Sequence, residues 1–155
     1  WNSAFDWGPT AMLPVFQVFG TEYEGKQILT CIESEEYHYD YFSKIDFRYK
    51  GAVASIKVGQ GVKSEGELVI SGTKGYIYVP APWWKTEYFE VRFEQPENNR
   101  RYFFQLDGEG IRYELVAFVR AIELGTSLTN VEETISCAIG KIMEKFMNGE
   151  VFRIK

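Results

Sequence analysis

The chain has 155 residues, 45% hydrophobic and 25% charged, with twelve Phe, ten Tyr and four Trp. That length predicts one compact domain, and that composition excludes a disordered tail, a coiled coil or a low-complexity repeat. A net charge of −5 and a pI near 5.0 leave no basic footprint for a phosphate backbone, so nucleic acid is not an expected partner.

No apolar run approaches the 18–20 or so residues that cross a bilayer, and the opening Trp-Asn-Ser-Ala-Phe-Asp lacks the regions of a signal peptide. The reading is a cytoplasmic protein with no membrane partner. Cys31 and Cys137 sit in apolar surroundings without metal or redox spacing, which suggests reduced core thiols rather than a disulfide. The first residue is Trp rather than Met, and the opening already reads as a helix start; together these suggest a piece of a longer chain.

Residues 6–19 carry a helix grammar. Asp6 stands as a cap, Pro9 in a first turn and Gly20 as a stop, while Pro14 should bend the helix or divide it in two. From about residue 26 to 106 the period changes to two. Seven runs rich in Val, Ile, Phe and Tyr follow, at 27–34, 41–49, 52–58, 65–71, 75–80, 86–94 and 100–106. Ser43, Ile45, Phe47 and Tyr49 share one face; Phe89, Val91 and Phe93 oppose Tyr88, Glu90 and Arg92, and Tyr102, Phe104 and Leu106 oppose Arg101 and Phe103. One face is a core, and the other mixes cations with aromatic rings, as a partner-covered face does. Gly72 and Gly75 bracket a tight hairpin where positive φ is expected.

After Gly110 the helical period returns. Leu115, Phe118, Val119 and Ile122 form a stripe that Gly125 ends. A last helix opens with Asn130 and Glu133 as an N-cap pair, carries Val131, Ile135, Ile139, Ile142 and Phe146 on its apolar side, and closes at Gly149. Residues 151–154 offer an edge strand. The expected fold is α+β: one large, mostly antiparallel, open-faced sheet with helices packed on one face, in a single domain over residues 1–155.

No complete catalytic constellation emerges from the residues alone. Asp107-Gly108-Glu109-Gly110 follows a strand and opens a helix, but it lacks the third glycine and the βαβ unit of a dinucleotide turn. Gly59-Gln60-Gly61 lacks the lysine and helix of a phosphate loop. The lone His38, between two strands, reads as solvated rather than as a metal ligand or base, and no metal site is expected. No Gly-x-Ser-x-Gly marks a serine hydrolase, and the carboxylate pairs carry no weight without a spatial separation. Trp83 and Trp84, in a proline-rich turn, offer either a sugar-stacking surface or a plug at the end of the sheet.

The order of pieces carries a resemblance. Asp6-Trp7-Gly8 opens a helix that ends at Phe19-Gly20, Tyr49-Lys50-Gly51-Ala52-Val53-Ala54 joins two strands, and Gly66 to Ile77 encloses the Gly72-Thr73-Lys74-Gly75 hairpin. Glu109-Gly110-Ile111-Arg112-Tyr113-Glu114 then leads into the Phe118 helix. Over nearly its whole length the chain resembles the C-terminal domain of the Gfo/Idh/MocA family of NAD(P)-dependent sugar and cyclitol oxidoreductases, which includes glucose-fructose oxidoreductase, inositol dehydrogenase and dihydrodiol dehydrogenase.

The resemblance implies a longer parent whose N-terminal Rossmann domain binds NAD or NADP and supplies a lysine from a Glu-Lys-Pro motif. Neither that domain nor the first part of this one is present, so this chain alone is expected to bind no cofactor and to be inactive. It further implies hydride transfer between the nicotinamide and a carbon of a sugar, cyclitol or related polyol. Asp6 and Thr10 are the catalytic candidates by family position, with Trp7, Gly8, Trp83 and Trp84 as substrate-binding candidates. Thr10 stands where many members have His or Tyr, and it cannot shuttle protons as histidine does. A homo-oligomer through the open sheet face is implied as well. The alternative reading is a non-catalytic binding or scaffold module that keeps the same sheet.

Overall fold

A computed structural model describes residues 2–34, 39–108, 110–126 and 131–154. The chain forms two compact units, residues 1–64 with 130–155 and residues 65–129.

The first unit opens with helix α1 (Ser3–Phe19), followed by strands β1 (Gly25–Ser34), β2 (Tyr39–Tyr49) and β3 (Ala52–Gly59), and is completed by helix α3 (Glu133–Met147) and strand β8 (Phe152–Ile154). The sheet order is β3-β2-β1-β8, antiparallel except for the parallel β1–β8 edge. The expected period-two alternation appears directly: Ser43, Ile45, Phe47 and Tyr49 are all buried on one face of β2. Ala4, Met12, Val15 and Phe16 of α1 and Ile135, Ile142, Met143 and Phe146 of α3 close that face into one core. Phe16 stands edge-on to Phe47 at 5.4 Å, and Tyr23 lies 5.5 Å from the same ring.

Helix α1 is one unbroken helix, although Pro9 and Pro14 both lie inside it. The bend or division expected at Pro14 does not occur. Packing of α1 against β2, β3 and α3 holds it as a single element despite the lost donor. The N-cap is Asn2, whose side chain accepts the Phe5 N–H at 2.8 Å, rather than Asp6, which lies in the first turn. Helix α3 starts one residue after Glu132, its N-cap, and Glu132 makes no side-chain capping bond. Asn130, expected to cap it, lies outside the described residues.

The second unit carries β4 (Leu68–Ser71), β5 (Gly75–Val79), β6 (Tyr88–Phe93) and β7 (Arg100–Phe103), paired antiparallel in that order, then helix α2 (Ile111–Leu124). The α+β class and the mostly antiparallel pairing agree with expectation, as do all seven extended runs within a few residues. In place of the one large sheet expected, the strands form two four-stranded sheets. The intervening 60–67 segment, with Gly61, Gly66 and three charged side chains, has no alternating pattern with which to continue a ladder.

The Gly72–Gly75 turn closes a hairpin as expected, through Gly72 N–H to the Gly75 carbonyl at 2.8 Å. Neither glycine adopts positive φ, however. Gly75 is required by close approach: a Cβ there would collide with the Arg92 carbonyl oxygen of β6. Gly110 and Gly125, both left-handed, bound α2 as the sequence indicates. The stripe of α2 is exposed within the described residues, with Phe118 and Ile122 at 64% and 67%.

Candidate functional site

Both cysteines are free, but Cys137 is exposed and Cys31 only half-buried, so the expectation of two core thiols is corrected; the α3 surface around Cys137 lies off the apolar stripe. His38 lies outside the described residues. Among the described residues no group of His, Cys, Asp and Glu is arranged to hold a metal, and no helix is long and apolar enough to cross a membrane.

Four of the six candidate site residues fall on α1. Asp6, Trp7 and Thr10 are exposed, and Asp6 and Thr10 are one helical turn apart. Gly8 is buried instead, and a Cβ at that position would sit 3.7 Å from Met143 Sδ of α3. Trp83 and Trp84 belong to the second unit, in a single 3-10 turn over Trp83–Lys85. Their rings meet edge to face at 6.0 Å, Trp84 is half exposed, and Trp83 N–H donates to the Gly66 carbonyl at 3.0 Å.

Around Asp6 the chain builds a polar cluster that sequence reasoning did not single out. The β1–β2 register shifts between Cys31 and Ile32, so that Tyr41 is an extra residue on β2. This bulge breaks the alternation and turns Asp40, an even-numbered residue on a strand whose odd positions are buried, fully into the interior. Asp40 Oδ2 lies 2.6 Å from Ser43 Oγ, which lies 2.8 Å from Thr30 Oγ1. With one proton on each hydroxyl, Thr30 donates to Ser43 and Ser43 to the carboxylate. Asp40 Oδ1 faces the Ala4 N–H at 3.4 Å, and the Asp40 carbonyl accepts from Ser3 Oγ at 2.9 Å. The first turn of α1 is thereby fastened to β2.

From there the chain reaches Asp6. Ser3 Oγ accepts the Gln60 N–H at 3.0 Å, the bulged Tyr41 carbonyl accepts the Gly61 N–H at 3.0 Å, and Gln60 Nε2 donates to Asp6 Oδ2 at 2.8 Å. The arrangement holds an exposed carboxylate and an exposed carboxamide side by side, a hydrogen-bonding pair suited to hydroxyl groups.

On one face of the second sheet, Glu90 accepts from Arg92 Nε at 2.6 Å and Arg101 Nε at 2.8 Å. Arg92 lies over the Tyr78 ring at 4.2 Å and Arg101 over the Tyr88 ring at 4.8 Å. Hydrogen bonds from Arg101 and then Arg92 hold the Glu90 carboxyl below its ordinary value, and the hydrogen bond to Glu67 raises the Tyr78 hydroxyl. This is the mixed cationic and aromatic face anticipated from the alternation.

The turn before α2 does not fit a dinucleotide. The preceding β7 is paired antiparallel to β6, so no parallel strand leads into the turn, and the Asp107 carboxylate is taken up by Arg112 at 2.7 Å.

No protein-family model matches the sequence, and no curated protein matches it. Solved structures do match. A variant of KijD10, a 3-ketoreductase from Actinomadura kijaniata in complex with TDP-benzene and NADP, matches over 99% of this chain and 48% of its own, with TM-score 0.78 and 10% identity. An oxidoreductase from Agrobacterium radiobacter in complex with NAD+, L-tartaric acid and magnesium matches over 94% and 47%, with TM-score 0.67 and 14% identity. The aldose-aldose oxidoreductase from Caulobacter crescentus, complexed with glycerol, matches over 91% and 43%, with TM-score 0.68 and 12% identity. The chain therefore has the fold of a part of these oxidoreductases and spans about half or less of the length of each.

Proposed function

We propose that this chain is the C-terminal, substrate-binding and oligomerisation domain of an NAD(P)-dependent oxidoreductase of the Gfo/Idh/MocA type, acting on a sugar, cyclitol or related polyol. The observation that carries the reading is the fold shared with the 3-ketoreductase KijD10 over 99% of this chain at TM-score 0.78, together with coverage of only 48% of that enzyme. The exposed Asp6–Gln60 pair supports it, since a carboxylate and a carboxamide suit a hydroxylated ligand. In this reading Asp6 and Thr10 face the reacting hydroxyl, Trp7 offers aromatic surface beside them, and Gly8 lies buried on the same helix. In the same reading the nicotinamide belongs to a Rossmann domain elsewhere in a cytoplasmic parent. The second sheet's mixed face is the surface for a second copy.

Threonine at position 10 favours a second reading, a scaffold module without the chemistry, because its hydroxyl neither ionises nor takes up a proton near neutral pH and so cannot shuttle protons as histidine does. One experiment separates the two. The full-length protein is assayed for NADP- or NAD-linked oxidation of myo-inositol and glucose, with Asp6→Asn as control. Turnover abolished by that substitution is expected, and absence of turnover with either cofactor overturns the enzymatic reading. Calorimetric titration of NADPH into the 155-residue chain is expected to show no binding; micromolar affinity overturns the division of labour.

A further inference from the structure

We propose that Gln60 is the positioning residue for Asp6 and the second hydrogen-bonding arm of the site, so that the pair selects substrates with two neighbouring hydroxyl groups. The inference rests on the reading of Asp6 as a substrate-site residue and adds to it a residue and a selectivity.

The first observation is how firmly residue 60 is held. Its N–H is bonded to Ser3 Oγ, which is itself bonded to the Asp40 carbonyl, and the next N–H is bonded to the bulged Tyr41 carbonyl. Both flanking glycines are forced by contact. A Cβ at Gly59 would lie 2.8 Å from the Tyr41 oxygen, and one at Gly61 would lie 2.8 Å from the Tyr41 Cβ. The corner therefore lies against β2 more closely than any other residue type permits, and the side chain it presents at its tip reaches Asp6.

The second observation is the chemistry of the contact. An ionised carboxylate only accepts, so the carboxamide must turn its NH2 toward Asp6, which leaves Oε1 and the second N–H directed elsewhere. Among the described residues, no side chain is bonded to Asp6 Oδ1 or to Gln60 Oε1. Two adjacent acceptors and one remaining donor, fixed relative to each other by the 2.8 Å bond, match the donors and acceptors of a vicinal diol. A ligand with a single hydroxyl engages one arm and leaves the other to water, which makes discrimination a direct consequence of the pair.

The test has two arms. In the 155-residue chain, labelled with 15N, the Gln60 side-chain amide is compared between wild type and Asp6→Ala. A shift of that amide pair is expected, and identical resonances overturn the proposal. In the full-length protein, kcat/KM is measured for myo-inositol and for cyclohexanol in wild type and Gln60→Met, which keeps length and removes both hydrogen-bonding groups. The inositol-to-cyclohexanol ratio is expected to fall by about three- to tenfold in the variant, as loss of one hydrogen bond between neutral groups implies. A merely structural role would lower both substrates together and leave the ratio unchanged, which overturns the proposal while the oxidoreductase reading stands. No turnover of either alcohol by wild type overturns that reading and the substrate arm with it.

Discussion

Asp40 is the residue on which the first unit's polar framework converges. A carboxylate with no solvent exposure is tolerated because Ser43 and the Ala4 N–H meet its oxygens, while its own carbonyl anchors Ser3. Removing one member leaves the others buried with unmet demands. Asp40→Ala is therefore expected to destabilise the chain by about 2–4 kcal/mol and Ser43→Ala by about 1–3 kcal/mol, read from urea unfolding at neutral pH. Equal stability of Asp40→Ala and wild type would show that the carboxylate is hydrated in solution. Because Ser3 also accepts the Gln60 N–H, Asp40→Ala is further expected to loosen the corner that carries Gln60, visible as faster amide exchange at residues 60 and 61.

At the scale of elements, two glycines make opposite demands. Gly75 begins β5 with the Arg92 carbonyl of β6 so close that any side chain forces the strands apart. Gly140 lies exposed inside α3, and a Cβ added to it would meet only open space. Gly75→Ala is expected to cost about 1–3 kcal/mol and to expose β5 and β6 amides to exchange, whereas Gly140→Ala is expected to stabilise by about 0.5–1 kcal/mol. Melting temperatures of the two variants check both signs in one experiment. The contrast also explains why the hairpin was readable and its reason was not: two glycines in a short loop announce a turn, but the approach of a strand from elsewhere in the sequence is not written in the loop.

For the molecule as a whole, acid sensitivity follows from two carboxylates on different sheets. Burial pushes the Asp46 carboxyl up, but hydrogen bonds from Lys44, at 2.9 Å, and from Ser55 outweigh it, so it lies below its ordinary value of 3.8. Arg101 and Arg92 hold Glu90 below its ordinary value of 4.5. Groups depressed in the folded state stabilise it fully above their unfolded values and lose that contribution as pH falls through the folded ones. These two carboxylates therefore add no slope to the melting temperature between pH 7 and 5, and below about 4.5 it is expected to fall, less steeply in Arg101→Met. A variant that melts in parallel with wild type down to pH 3 would remove Glu90 from the account.

What the amino-acid order determined by itself is the succession of elements: the seven extended runs, the two glycine-bounded helices and the edge strand all carry local periodicities, and a period is a property of neighbours in sequence. Even the helix spanning Pro9 and Pro14 was legible as a helix, though its continuity came from packing against β2, β3 and α3. Only the tertiary structure decided the division into two sheets, the inward turn of Asp40 and the meeting of Gln60 with Asp6. Each depends on a register or an approach between segments distant in the chain. One extra residue at Tyr41 inverts which side of a strand is buried, and no composition or spacing read along β2 alone reveals which residue its partner strand skips.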